Sequence, residues 1–264
     1  LNIAHGSFYA LGAYMAASAV ALANNLNTSP YFSLLAMLLA AVAVALLVAP
    51  ATERGLLRFF YGQDEVLLVL VTYAMFLMLE DITKLIWGAN PYYVSEPYAL
   101  FGNIDIGNQS YVGYDLLLML LAVLVGAVVW WGLNRTRFGK IVTAVIHSPE
   151  VASSMGVKVS RVYMAAFGMG IFLAALGGAF TAPMISVQPG VSVGVIIISF
   201  AVVIIGGLGS IEGAAIGALI VGLARALAVH VMPVAELFSV YVVMALVLVF
   251  RPQGLFQRIQ ARKI

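Results

Sequence analysis

The sequence predicts an all-α protein, a polytopic bundle of transmembrane helices with about eight membrane segments, some of them short or broken. Of its 264 residues, 63% are hydrophobic and only 9% are charged, whereas an average soluble domain carries about 25% charged residues. Residues 1–52 contain no Asp, Glu, Lys or Arg, and neither do residues 162–211. Each of these runs is roughly twice the ~20 residues that cross a bilayer as a helix. The composition therefore excludes a soluble globule.

Apolar runs separated by turn residues divide the chain into eight segments of one transmembrane domain, residues 1–264. The first segment ends in a polar, asparagine-rich turn before Pro30, and the second is expected to end at Pro50. The sixth is the shortest, because it lies between Gly190 and the glycines that begin at Gly206. The predicted segments are 6–23, 31–49, 66–87, 114–133, 162–185, 191–205, 213–231 and 234–250.

Basic residues predict the orientation of the chain in the membrane. Eleven of the 13 Lys and Arg residues fall in residues 51–65, in residues 134–161 or in the C-terminal tail, while residues 88–113 contain none. Because cytoplasmic loops carry an excess of Lys and Arg, the basic loops and the C-terminus are predicted to be cytoplasmic. The first residue is Leu, and we expect a further N-terminal segment to precede it.

Two basic residues, Lys84 and Arg225, lie inside predicted spans. Glu80 and Asp81 precede Lys84 by four and three residues, so all three side chains share one helix face. This pattern predicts either a structural ion pair near the outer end of the third span or a gate or substrate contact at an outward vestibule. Arg225 is expected to pair with Glu236 across the last hairpin.

Polar residues at the start of the first segment, Asn2, His5 and Ser7, lie in apolar surroundings. Interrupted helices at membrane depth often mark transporter binding sites, because their freed backbone groups can face a cavity. We therefore take these residues as candidates for the substrate pathway. The alternative is a polar cluster that is satisfied against a neighbouring helix.

Glycines at Gly209, Gly213 and Gly217 recur every fourth residue. Such a face lets helix backbones approach closely in lipid, so we expect it to pack against another helix. A pathway lined by small residues is compatible with the same pattern.

Patterns typical of catalysis or metal binding are weak in this chain. It contains no cysteine, and its three histidines lie far apart, so no metal site is predicted. Residues 190–194 match the hydrolase pattern Gly-x-Ser-x-Gly, but they lead into a membrane span instead of joining a strand to a helix. No P-loop pattern occurs. We predict a transport subunit in a lipid bilayer, with no enzymatic activity and no nucleic-acid partner.

The segment 134–161 contains a predicted short helix of about seven residues. Ser148 can cap its N-terminus, Pro149 suits the first helical position and Glu150 favours the positive helix end. Gly156 suits a left-handed cap at the C-terminus. This helix is either a capped loop or a docking element for a cytoplasmic partner, and composition favours neither.

Four blocks of sequence, spread over the chain, resemble the permease subunits of Liv-type branched-chain amino acid ABC transporters. The blocks are residues 2–7 (NIAHGS) with 11–14 (LGAY), residues 135–140 (RTRFGK) with 149–157, residues 206–214 (GGLGSIEGA) and residues 251–256 (RPQGLF). Jointly, and in this order, they are specific to the family.

The resemblance implies a permease subunit of an ABC importer in a bacterial or archaeal inner membrane. Such a permease moves amino acids, or related small polar solutes such as urea and short amides, by ATP-driven alternating access. Its implied partners are a second related permease, two cytoplasmic ATPase subunits that bind ATP and Mg, and a periplasmic substrate-binding protein. This chain would bind no cofactor itself.

The resemblance also makes residues 134–161 the coupling segment that seats on an ATPase. The residues implied in coupling are Arg137, Phe138, Gly139, Ser148, Pro149, Glu150, Ala152 and Gly156. A stand-alone secondary carrier or channel remains the alternative. Its support is the group of Glu80, Asp81 and Lys84, because charged residues inside a membrane can relay protons.

Overall fold

The computed structural model of the chain describes residues 2–60 and 62–256, and this part is mainly helical. Leu1 and the predicted basic tail with Arg258, Arg262 and Lys263 lie outside the described residues. The described part contains eleven α-helices and one antiparallel two-stranded sheet. In chain order the elements are α1 (His5–Asn25), α2 (Phe32–Gly55), α3 (Glu65–Trp87), α4 (Glu96–Ala99), β1 (Asn103–Ile106), β2 (Gln109–Val112), α5 (Gly113–Arg135), α6 (Arg137–His147), α7 (Pro149–Ser154), α8 (Val159–Thr181), α9 (Val191–Gly206), α10 (Ile211–Val231) and α11 (Glu236–Phe250).

Seven helices of the described part are long and apolar enough to cross a membrane, namely α1, α2, α3, α5, α8, α10 and α11. The apolar helix α9 is shorter, with 16 residues. These eight helices correspond one to one with the eight predicted segments, and α9 is the short sixth one. The prediction of an all-α, polytopic membrane protein is confirmed.

The chain divides into two compact units, residues up to Val193 and residues from Gly194 onward. In the first unit, α1, α2 and α8 pack against one another and contribute most residues of the core, many of them alanines. A β-carbon on Gly12 in α1 would collide with the backbone of Ala175 in α8, and one on Gly178 in α8 would collide with the backbone of Tyr9. Small residues thus let α1 and α8 approach closely, as is usual for helices in lipid.

The second unit is built on α10 and α11, which pack against each other, and on the end of α9. Its core contains Ala201, Ile205, Val221 and Val240. At the end of α9, the backbone N–H groups of Leu255 and Phe256 donate hydrogen bonds to the carbonyls of Ile205 (2.9 Å) and Gly206 (3.0 Å). The chain after α11 therefore satisfies carbonyls that a helix C-terminus leaves without partners.

The structure corrects the prediction of helix ends in two places. The second segment does not end at Pro50, because α2 continues through it to Gly55. The predicted polar loop 88–111 contains α4 and the hairpin of β1 and β2, in which Ile104 lies opposite Tyr111. Gly107 occupies the hairpin turn with φ +65°.

Tyr98 of α4 lies close to Asp115 at the start of α5. Partial burial of Tyr98 and the neighbouring Asp115 carboxylate raise the pKa of the Tyr98 hydroxyl.

Candidate functional site

The polar residues at the start of α1 make local contacts in the structure. The Asn2 side-chain oxygen Oδ1 accepts a hydrogen bond from the backbone N–H of Ala4 (3.0 Å), directly before α1 begins. Ser7 is buried, and its hydroxyl donates to the carbonyl of Phe76 in α3 (3.2 Å). These residues therefore mark the beginning of a helix, and α1 is continuous from His5 to Asn25.

His5 occupies a different environment from Asn2 and Ser7. Its ring lies edge-on to Phe8, with centroids 5.5 Å apart, and edge-on to Phe167 of α8 at 6.4 Å. A β-carbon on Gly170 would lie 3.0 Å from its Nε2 atom. His5 and Asn2 both keep some exposed surface, whereas Ser7 is buried.

Glu80 in α3 faces the beginning of α9. Its Oε1 atom accepts a hydrogen bond from the backbone N–H of Gly190 (2.6 Å), and its Oε2 atom accepts one from the hydroxyl of Ser192. A helix N-terminus carries unpaired N–H groups and a partial positive charge, so a carboxylate there is stabilising. Lys84 pairs instead with Asp81, with Nζ and Oδ1 3.3 Å apart and both side chains exposed. The structure thus separates Glu80 from the ion pair.

Three aromatic residues form a cluster around Tyr14. The Tyr14 ring lies 5.3 Å from the Trp87 ring and 6.0 Å from the Tyr92 ring, measured between centroids. Trp87 Nε1 donates to the Ser18 hydroxyl (2.7 Å), and the Tyr92 hydroxyl donates to the Trp87 carbonyl (2.8 Å). The hydroxyl of Tyr14, whose side chain is only 1% exposed, has no hydrogen-bond partner among the described residues.

Backbone contacts hold the two loops around this cluster together. The N–H of Tyr92 donates to the carbonyl of Val187 (2.9 Å), and the N–H of Val187 donates to the carbonyl of Tyr92 (3.0 Å). Because the partners are more than 90 residues apart in the chain, sequence analysis did not find this cluster. The available signal was the small polar residue Ser192, two residues after Gly190, at the start of the short segment.

The predicted coupling residues lie on two helices, α6 and α7. Arg137 and Phe138 begin α6 and are exposed. The N–H of Gly139 donates to the side-chain oxygen of Thr136 (3.2 Å), which caps α6. Gly139 also lies so close to the backbone of Leu133 that a β-carbon would collide with it. Gly139 is therefore needed for the tight connection between α5 and α6.

The predicted short helix is α7, with six residues. Pro149 and Glu150 are exposed in its first turn, and Ala152 is buried. Ser148 occupies the N-cap position but its side chain makes no capping hydrogen bond, so that part of the prediction needs correction. Gly156 has φ +84° and follows the last turn, as expected of a left-handed cap.

The three glycines of the predicted packing face have different roles. Gly213 approaches the backbone of Gly206, and Gly217 approaches the carbonyl of Val202, so both face α9. Gly209 lies in the turn before α10, with φ +85° and open space around it. Its conformation, and not helix packing, accounts for a glycine at this position.

No group of His, Cys, Asp and Glu in the part of the chain that the structure describes is arranged to hold a metal ion.

Two of the motif blocks come together in the second unit. A β-carbon on Gly254 would collide with the backbone of Gly207, so residues 206–210 and 251–256 form one contact. The first unit holds the other two blocks.

Comparison with known proteins gives a consistent result. Residues 1–250 match the family model described as the permease component of branched-chain amino acid transport systems. The chain is 28% identical to the high-affinity branched-chain amino acid transport system permease protein BraD of Pseudomonas aeruginosa, over 100% of this chain and 88% of BraD. It is 24% identical to the corresponding permease protein LivH of Escherichia coli (strain K12), with the same shares covered.

The ribose import permease protein RbsC of Escherichia coli (strain K12) is also similar, with 27% identity over 84% of this chain and 67% of RbsC. No solved structure matches the chain.

Proposed function

Because the chain belongs to the family of branched-chain amino acid transport system permease components, we propose that it is the membrane subunit of an ABC importer. It moves amino acids, branched-chain ones in particular, across the inner membrane of a bacterium or archaeon. It works with a second, related permease and receives solute from a periplasmic binding protein. Two separate ATPase subunits on the cytoplasmic side bind ATP and Mg and hydrolyse the ATP.

The observation that carries this proposal is the apolar face of α7. Val151 of α7 is 59% exposed, and Met155, which directly follows the helix and whose N–H donates to the Val151 carbonyl (3.1 Å), is 80% exposed. Neither residue is part of a candidate membrane span. Apolar side chains that are exposed outside the membrane mark an interaction surface, because contact with a partner removes them from water. On the other side of α7, Ala152 is only 4% exposed and anchors the helix. The arrangement supports docking of an ATPase subunit on α7.

The packing around Ala152 supports coupling between such a partner and the membrane. Ala152 belongs to a small apolar cluster with Val142 and Val145 of α6 and Val162 of α8. Since packed interiors resist compression and transmit strain, a displacement of α7 moves the first turn of α8. The other end of α8 packs against α1 in the main core, so the displacement reaches the bundle.

The distribution of charge supports a cytoplasmic position for α7. In the first unit, α2, α5 and α8 each end or begin next to basic residues, and these residues lie at one end of the spans if the spans alternate in direction. The basic residues concerned are Arg54, Arg58, Arg135, Arg137, Lys140, Lys158 and Arg161. The hairpin of β1 and β2, whose loop carries no basic residue, is then on the outer side.

Amino acids are the proposed substrates because the relatives aligned over the whole chain carry that name, whereas the ribose permease aligns over a smaller share. Transport follows alternating access between outward-open and inward-open states. ATP can drive this change only by binding the two states with different affinity.

Purification of the tagged chain from its native host in mild detergent tests the proposal. We expect a second permease and ATPase chains to copurify, and liposomes containing the complex to take up leucine, isoleucine or valine only with ATP and the binding protein. A chain that purifies alone and moves amino acids down an ion gradient without ATP would favour a secondary carrier instead.

A further inference from the structure

Resting on the proposed function, we infer that Glu80 and the Tyr14 hydroxyl form the binding site for the ammonium group of the transported amino acid. The site lies in the first unit, where α3 and α1 meet the beginning of α9. It is a specificity site, because it recognises the one group that an amino acid has and a sugar or a carboxylic acid lacks.

The position of Glu80 in its helix makes it reachable from one face of the membrane. It lies seven residues before Trp87, the last residue of α3, which corresponds to a rise of about 10 Å. Its side chain is half-buried. An ionisable residue inside a span is costly unless it is paired, and such residues commonly mark substrate or ion pathways.

The hydrogen bonds of Glu80 leave acceptor capacity for a ligand. An ionised carboxylate offers about four acceptor sites, and among the described residues Glu80 receives only the N–H of Gly190 and the hydroxyl of Ser192. Both donors are neutral, and the partial positive charge of a helix N-terminus is only about half an elementary charge. Lys84, one turn further along α3, pairs with Asp81. A net negative charge therefore remains at Glu80.

Tyr14 independently indicates a missing ligand. Its hydroxyl is buried and has no partner among the described residues, which is uncommon because buried polar groups are nearly always hydrogen-bonded. Its ring contacts those of Trp87 and Tyr92. Tyr92 is bonded through its backbone to Val187, three residues before the Gly190 N–H that donates to Glu80. A donor placed between Glu80 and Tyr14 would satisfy both oxygens at once.

An ammonium group fits these oxygens better than a metal ion does. It carries one positive charge and three N–H donors, which matches one carboxylate and one phenol oxygen. Calcium and magnesium require six or more oxygen ligands, usually with several carboxylates. The rings of Tyr14, Trp87 and Tyr92 add aromatic faces and edges, and an aromatic face attracts a cation.

The site also connects recognition to movement of α9. An ammonium group on the free acceptor positions of Glu80 neutralises the carboxylate, and so weakens its hydrogen bonds from the N–H of Gly190 and the hydroxyl of Ser192. As the solute binds, the beginning of α9 becomes less strongly held to α3. Sugars and carboxylic acids have no positively charged group, so they leave the hydrogen bonds between Glu80 and the beginning of α9 unchanged.

Competition binding on the purified complex, without the binding protein, tests the site. Radiolabelled leucine is displaced either by 3-methylbutylamine, which has the ammonium group only, or by 4-methylpentanoate, which has the carboxylate only. We expect Glu80→Gln to weaken displacement by the amine about tenfold or more, because a charge-assisted hydrogen bond is lost. Displacement by the acid should not change.

Matched variants separate charge from structure. Glu80→Gln retains an oxygen for the Gly190 N–H, so the cap and the fold remain while the charge is lost. Tyr14→Phe retains the ring and should weaken displacement by the amine by a smaller factor than Glu80→Gln does. Glu96→Gln makes the same chemical change at an exposed position in α4, and should behave as the wild type. Size-exclusion profiles after mild heating check that each variant is folded.

The outcomes distinguish this inference from the proposed function. If the wild-type complex takes up amino acids but Glu80→Gln binds the amine as well as the wild type, the site is wrong and the function stands. An equal loss of amine binding in Glu96→Gln would also overturn the site, since it would indicate a general charge effect. A wild-type complex that takes up no amino acid overturns both.

Discussion

Gly254 adopts a left-handed backbone conformation, φ +82°, and approaches the backbone of Gly207 so closely that a β-carbon would collide with it. Gly62 has a similar φ, +87°, but open space around it. We expect Gly62→Ala to cost about 1–2 kcal/mol, the penalty of the left-handed conformation for a residue with a side chain. Gly254→Ala should cost more, because the collision adds to this penalty. Thermal unfolding midpoints in detergent would measure both, and equal shifts would contradict the close contact.

Arg225 and Glu236 form an ion pair between α10 and the beginning of α11, as predicted from the sequence. We expect Arg225→Leu to lower the thermal midpoint by a few degrees, since it leaves Glu236 unpaired at the end of a span. The double variant Arg225→Leu/Glu236→Leu should recover most of the loss, because no unpaired charge remains. A double variant less stable than the single one would indicate that Glu236 has another partner.

Sequence reasoning at this scale succeeded where partners are close in the chain. Arg225 and Glu236 are 11 residues apart and lie on one predicted hairpin. Glu80 has partners 110 and 112 residues away, and a helix-face rule relates a residue only to its own helix. For the same reason the unpartnered hydroxyl of Tyr14 was not predictable.

Val151 of α7 and Met155, which directly follows the helix, are exposed one turn apart, whereas Ser153 lies on another face of α7. We expect Val151→Asp/Met155→Asp to abolish copurification of the ATPase chains and to reduce ATP-driven uptake about tenfold or more, because the apolar docking surface is lost. Ser153→Asp adds a charge to the same helix without removing apolar surface, and should retain both properties. If the double variant still copurifies with the ATPase chains, α7 is not the docking element.

Gly12 tests the contact between α1 and α8. A side chain at this position would collide with the backbone of Ala175, while Gly126 in α5 has nothing near it. Gly12→Ala should separate the two helices and lower the yield of folded protein severalfold. Gly126→Ala should be neutral or slightly stabilising, because alanine is favoured over glycine in a helix by up to about 1 kcal/mol. Fluorescence-detected size-exclusion chromatography compares the two yields.

Elements were predictable in proportion to the strength of their apolar pattern. All eight apolar helices were found, but α2 continues beyond Pro50, because a helix in a bundle tolerates the loss of one backbone hydrogen bond. The amphipathic α6 was missed, since its polar face made residues 134–161 look like a charged loop. The hairpin of β1 and β2 has only four residues per strand, too few for a clear alternating pattern.

The absence of cysteine from the chain makes its orientation directly measurable at the scale of the whole molecule. A single cysteine introduced as Asn108→Cys lies in the turn of the hairpin, and one introduced as Ser153→Cys lies in α7. If the basic loops are cytoplasmic, a membrane-impermeant maleimide should label the first in intact spheroplasts and the second only after lysis. Labelling of both from one side would contradict the predicted topology.

Several spans bury little of their own surface. The apolar stretch of α5 has none of its residues buried, and those of α10 and α11 have 11% and 6% buried. Such helices depend on lipid or on other subunits for their packing. The number of spans was readable from the sequence, but this dependence was not, because composition does not distinguish a lipid-facing residue from one that faces a partner.

The bonds from Leu255 and Phe256 to the carbonyls at the end of α9 have a consequence for biosynthesis. Translation completes Gly206 about 50 residues before these two partners, and at roughly 5–20 residues per second this interval lasts several seconds. Throughout that time α10 and α11 are being inserted while the last turn of α9 has incomplete hydrogen bonding. The second unit can therefore close only after residue 256 has left the ribosome, so nascent chains arrested before that point should be the ones that membrane quality-control proteases recognise.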